Sequence, residues 1–182
     1  MIRTLLWAVA GVVLGGIIHI AVILALPALS PTVAWDQVAA LGEGNGPYVL
    51  PAARPDQPNS LRLDPELAYA VCRLDLRNGP GTVAGTLPQA FWSVAVYNRM
   101  GTVVYSTTNR DGVGTTLDIG LFNAAQTRLL AQQQLDIAEG LLVVESQTDE
   151  LMVLVRLAPP HPAMRVRYEK ALAGLRCSNL DG

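Results

Sequence analysis

Residues 91–106 read FWSVAVYNRMGTVVYS. Phe91 to Asn98 is apolar at both parities, as expected of a central strand buried on both faces. Asn98-Arg99-Met100-Gly101 supplies turn residues, and Thr102 to Ser106 returns as a β-branched and aromatic run. This hairpin predicts an antiparallel sheet, and the flanking sequence extends it. Upstream, Val71 to Arg77 has a period of two, with Cys72, Leu74 and Leu76 on one face and Arg73, Asp75 and Arg77 on the other. Asn78-Gly79-Pro80-Gly81 then makes a turn into a short strand over Thr82 to Thr86. Downstream, Thr115 to Leu121 directs Leu117, Ile119 and Leu121 inward, and Asn123 with Gln126 is a capping-box variant opening a helix through about Gln133.

Two more strands follow, Leu141 to Glu145 and Leu151 to Leu157, joined by a polar turn at Thr148-Asp149-Glu150. A last helix starts near Pro162, with Met164, Tyr168, Leu172 and Leu175 on one face and Arg165, Arg167, Glu169 and Lys170 in solvent. Asp64-Pro65-Glu66 has the cap, the proline and the acid of a short helix start. The expected fold is α+β: a mainly antiparallel sheet of six to seven strands with two or three helices, preceded by one N-terminal transmembrane helix.

That preceding helix covers residues 1–26. Thr4 to Leu26 carry no charge and are almost wholly Leu, Ile, Val, Ala and Gly, and at 1.5 Å per residue they reach roughly 34 Å, enough to span a bilayer core. A signal peptide would have a shorter apolar run and a small-residue cleavage site, so a retained anchor is expected. Arg3 precedes the helix and no cation follows it until Arg54. By the positive-inside rule the N-terminus is cytoplasmic and the remainder periplasmic or extracytoplasmic, at the inner membrane. Gly11 and Gly15 form a G-x-x-x-G pair, a spacing that lets helices pack closely in lipid, and His19 is the ionisable side chain of the span. Pro27 to Ser60, with six prolines and three glycines, reads as a stalk, with one short helix over Val33 to Leu41 that displays Trp35, Val38 and Leu41. The folded domain should occupy 61–182.

Removing Arg3 from the 13 cations leaves 12 against 15 anions. No basic stripe is present, which argues against nucleic acid or a polybasic lipid contact. Membrane lipid is engaged through the N-terminal helix instead. Cys72 and Cys177 allow one intramolecular pairing, expected as a disulfide in an oxidising compartment, with two buried thiols as the alternative. Two histidines, His19 and His161, make no cluster for a metal or for activating a serine. No phosphate-binding, dinucleotide or nucleophile-elbow motif occurs, so neither cofactor nor metal is expected. Paired carboxylates at Asp149-Glu150 read as solvated turn residues.

One segment concentrates recognition chemistry. Trp92, Tyr97, Asn98, Arg99, Tyr105, Asn109, Arg110 and Asp111 surround the hairpin and its exit loop. They are candidates for ligand or partner binding, Arg99 and Arg110 above all for an anionic group, because a guanidinium donates bidentately. The bland alternative is sheet packing and a surface turn.

The same residues carry a resemblance. Asp64-Pro65-Glu66 leading to Tyr69-Ala70-Val71-Cys72-Arg73, then Phe91-Trp92-Ser93, Tyr97-Asn98-x-x-Gly101, Tyr105, Asn109 and Arg110 resemble a bacterial cell-envelope family known as a domain of unknown function. The resemblance covers about residues 33–180. It implies a short, single-helix version of a family whose longer relatives carry a second domain, and a separate protein supplying that domain here. Relatives more often have Asp where this chain has Asn98. Three readings follow: a membrane-anchored module binding another envelope protein or a second copy, a small-molecule or lipid-binding domain, and an enzyme completed by a partner with Asp75 or Asp111 as acid or base.

Overall fold

The computed structural model describes residues 2–29, 33–41, 46–110, 114–132 and 140–180, in two compact units, Met1–Val33 and Ala34–Gly182. The first holds α1 (Ile2–Leu29), whose Ile2–Leu26 stretch is long and apolar enough to cross a membrane. A signal sequence shares that character. A Cβ added at Gly11 or Gly15 would meet nothing within 4 Å, so this helix face is open.

The second unit runs α2 (Val33–Leu41), β1 (Tyr48–Val49), β2 (Ala68–Asp75), β3 (Gly81–Thr86), β4 (Trp92–Asn98), β5 (Val103–Thr108), β6 (Thr116–Asn123), α3 (Ala124–Gln132), β7 (Leu142–Ser146), β8 (Glu150–Leu157), α4 (Arg165–Ala173) and β9 (Arg176–Asn179). The fold is α+β and mainly antiparallel, but its strands divide between two sheets, ordered β1-β2-β8-β4-β5 and β7-β6-β3-β9. The divide explains why β7 and β8 are not a hairpin despite their short polar connection. β7 instead runs parallel to β6, which needs a crossover, and α3 lies within it. The capping box forms as the sequence predicts: Asn123 Oδ1 accepts from Gln126 N at 3.0 Å, and Gln126 Oε1 accepts from Asn123 N at 2.9 Å.

Alternate residues of each sheet meet between them. Cys72, Leu74, Trp92, Val94, Val96, Val153 and Val155 project from the five-stranded sheet, and Val83, Leu117, Ile119, Leu121 and Val144 from the other. Tyr168, Leu172 and Leu175 join the same core, as the final helix's apolar face predicts. Arg165, expected in solvent, is half-buried: its Nη1 and Nη2 donate to the carbonyls of Pro65 and Leu67 at 2.6 and 2.9 Å, and Nε pairs with Glu169 at 2.8 Å.

Two expectations need correcting. Asp64-Pro65-Glu66 is a turn, with Glu66 N donating to Asp64 Oδ1 at 2.8 Å, because β2 begins at Ala68 and leaves no room for a helix. The stretch read as a stalk is partly structured. Val38 of α2, Leu50 and the half-buried Leu61, Leu63 and Leu67 pack on Tyr69, Val71, Met152 and Leu154, the outward residues of β2 and β8. Leu50 N donates to Tyr69 O at 2.9 Å beside the β1–β2 pairing. Proline density prevented an extended ladder without preventing burial.

β9 has no strand pattern in the sequence to announce it. It pairs with β3 through four residues, and Asn179 Nδ2 donates to the carbonyls of Asp75 and Gly79 at 2.9 and 2.8 Å. Gly79 has φ +116°, and a Cβ there would collide with the Leu180 carbonyl, so this junction requires glycine. β9 also carries Cys177, whose disulfide with Cys72 of β2 joins the two sheets across a 6.0 Å Cα separation.

Candidate functional site

Strand alternation and one β-bulge disperse the hairpin's aromatic residues. Trp92 points inward beside Leu157 and is 1% exposed. Tyr105 lies opposite Val96 and is half-buried against the core, whereas Tyr97, beyond a register shift between Val96 and Tyr97, lies on the outer face between Met152 and Val103. The three rings therefore do not form one pocket.

The polar residues divide similarly. Asn98 builds the turn: its Oδ1 accepts from Met100 N and Thr102 N at 3.0 and 2.9 Å, and Gly101, at φ +77°, donates to its carbonyl. An aspartate could accept the same bonds, so this geometry explains Asn98 without chemistry. Arg99, expected to await an anion, pairs with Glu150 at 3.0 Å. Glu150 also faces Arg77 at 3.4 Å, and Arg77 binds Asp75 through Nε and Nη2 at 2.8 and 2.7 Å. Asp149, read as merely solvated, accepts from Asn123 Nδ2 at 3.0 Å. Arg110 is exposed, and Asp111 lies outside the described residues. Among the described residues no three His, Cys, Asp or Glu side chains gather in a group fit to hold a metal.

The side-chain hydrogen bond from Arg77 holds the Asp75 carboxyl below its usual pKa, against an opposing desolvation by burial and with help from the Arg77 backbone N–H and charge. An acid so held is ionised at neutral pH and a weak base, which disfavours the proton-transfer role considered for it. Because the folded value is depressed, its contribution to stability is present above the unfolded pKa, near 4, and is lost as pH falls through the folded value. Arg77→Ala should therefore return the Asp75 pKa upward to the ordinary carboxylate range. Carboxyl-carbon NMR titration measures this, and an unchanged pKa would show that the contact does not set it.

Two concave regions were not legible in the sequence. One is a groove of about 430 Å³ between α2 and the 50–63 segment, lined by Leu41, Leu50, Arg54, Asn59, Leu61 and Leu63 among others. The other, about 420 Å³, lies where the Pro88–Phe91 loop, the exit of β5 and the start of β6 converge, and it includes Asn109, Trp92 and Thr115. Of the predicted binding residues, only Trp92 and Asn109 come together there.

β5 is the edge of its sheet and pairs only with β4 among the described strands. Asn109 N donates to Trp92 O at 3.1 Å. Antiparallel alternation then makes Thr107 and Tyr105 the hydrogen-bonded partners of Val94 and Val96, and turns the peptide groups of Ser106 away from β4. Beside this edge Val103 is 50% and Met100 79% exposed. The chain's own α2 and 50–67 segment pack on the outer face over β2 and β8.

No family model matches the chain, and no curated protein matches it in sequence. Solved structures do resemble it. The VPA0106 protein from Vibrio parahaemolyticus superposes with a TM-score of 0.53 over 65% of this chain at 11% identity. An uncharacterised protein from Burkholderia cenocepacia gives a TM-score of 0.49 over 81% at 14% identity. The chain spans 29% of the first protein and 38% of the second. At these identities the likeness concerns the fold alone.

Proposed function

We propose that this protein is a membrane-anchored, extracytoplasmic binding module that docks an extended segment of another envelope protein along β5. The observation that carries the reading is the β5 edge itself: six residues, Val103–Thr108, without charge or proline, beginning at the exposed Val103 and preceded by the exposed Met100. Such an edge offers main-chain hydrogen bonds for affinity and alternate side chains for specificity. The N-terminal apolar helix and the disulfide support anchoring at the inner membrane with the domain on the oxidising side. Arg3 before the helix supports that orientation. The family resemblance around residues 64–110 agrees with an envelope protein whose partner supplies a second domain. Gly11 and Gly15 give α1 a face for pairing with a second helix, of this protein or of its partner.

Ser106→Pro removes the outward N–H while leaving the β4 ladder intact. It should abolish recovery of the partner by crosslinking in intact cells and affinity purification, with little change in Tm. Recovery of the same partner at wild-type yield would overturn docking on β5.

A further inference from the structure

The cavity at the end of β5 is incompletely satisfied by the chain's own groups. Asn109 Oδ1 is buried without a hydrogen-bond partner, and so is Thr107 Oγ1, two residues earlier on the same strand. Thr107 is only 3% exposed. Buried polar atoms in folded proteins are nearly always hydrogen-bonded, and leaving one orphaned costs about 1–3 kcal/mol. Residues i and i+2 of a strand share a face about 7 Å apart. The two orphans therefore mark one polar end of the space between the sheets, where the 420 Å³ cavity opens beside Asn109.

The lining specifies the occupant. Among the described residues that line it, Pro88, Gln89, Ala90, Phe91, Trp92, Asn109, Gly114 and Thr115, none is charged, which favours a neutral occupant over an ion. Gln89, Asn109 and Thr115 supply amide and hydroxyl groups. Phe91 is 51% exposed and offers an aromatic platform. A volume of this size suits a small ligand. Neutral donors beside an aromatic face match a molecule whose hydroxyls form hydrogen bonds and whose C–H surface packs on a ring.

We propose that this cavity binds a neutral, hydroxyl-rich molecule of monosaccharide size, held by donation to Asn109 Oδ1 and by packing on Phe91, with a water behind it on Thr107. This site is separate from the β5 edge, and it stands or falls without the partner-docking reading.

The test uses the full chain in lipid nanodiscs, which avoids sugar-headed detergents, and ligand-observed NMR titration with glucose, N-acetylglucosamine and, as a charged comparator, glucuronate. At least one neutral sugar should bind saturably and more tightly than glucuronate. Asn109→Leu should weaken that binding about tenfold, the equivalent of one lost hydrogen bond, without lowering Tm, because the orphaned acceptor goes with it. Phe91→Ala, at an exposed position that tolerates truncation, should weaken it comparably and serves should Asn109→Leu fail to fold. Failure of both neutral sugars to bind, glucuronate binding as well as they do, or wild-type affinity in either cavity variant would overturn the proposal.

Discussion

Reducing the Cys72–Cys177 bridge should destabilise the two-sheet unit by about 2–5 kcal/mol, among the largest effects available in this molecule. The bridge closes a loop of sequence separation 105, and in the chain-entropy model a loop of that length removes about 4–5 kcal/mol of unfolded-state freedom. It also joins opposite sheets, so its loss frees β9, a strand of only four residues held otherwise by β3 and Asn179. Both cysteines are buried, so reductant should act slowly and through opening of the fold. Denaturant melts of the oxidised protein against Cys72→Ala/Cys177→Ala would measure the difference. Equal midpoints and slopes would show that the bridge constrains nothing the packing does not already hold.

Trp92→Ala should cost about 3–5 kcal/mol, the range for deleting a fully buried aromatic side chain. Trp92 is 1% exposed and sits with Leu157, Val94 and the other inward residues of the five-stranded sheet. The expected result is a lowered Tm, and any loss of binding should follow unfolding rather than precede it. Phe91→Ala, one position away on an exposed side chain, should leave Tm nearly unchanged. If Trp92→Ala instead kept full stability and lost only binding, Trp92 would be a contact residue and the core assignment would fail.

Much of the fold is legible residue by residue. The alternation of Leu117, Ile119 and Leu121, the Asn123–Gln126 cap, the turn at Asn98 to Gly101 and the buried face of the last helix are local signals, and each appears where the sequence puts it. What escaped depends on distant partners. Arg-Cys-Ser-Asn at 176–179 has no strand pattern of its own and becomes β9 only by lying along β3. The proline-rich stretch before Ser60 hides Leu50 and Val38, whose burial depends on the outward side chains of Tyr69 and Val71. The division into two sheets is invisible because β7 and β8 are separated by a turn no different from a hairpin's.

The candidate site was less legible than the fold. Residue type suggested Arg99 as an anion ligand, but Glu150, fifty-one positions later, neutralises it. Aromatic clustering along the sequence suggested one pocket, whereas strand alternation turns Trp92 and Tyr105 toward the core, four residues apart along β4, and Tyr97 to the outer face. Asn109 is one candidate among several in the sequence, and the structure distinguishes it by its buried acceptor Oδ1 beside the cavity.

The strand order has a kinetic consequence. β2 closes against β8, matching Ala68 with Leu157, and β3 closes against β9, matching Gly81 with Asn179. Neither sheet can be completed by adding strands as they emerge during synthesis, because β2 waits for β8, and β3 for its second neighbour β9, about ninety residues further along the chain. Such non-local pairing requires loop entropy to be lost before contacts repay it, which places this domain among slow folders. Until residues 150–179 arrive, β2 lacks its neighbour β8 and β3 lacks β9, and apolar surface left open in this way is what makes incomplete chains prone to aggregate.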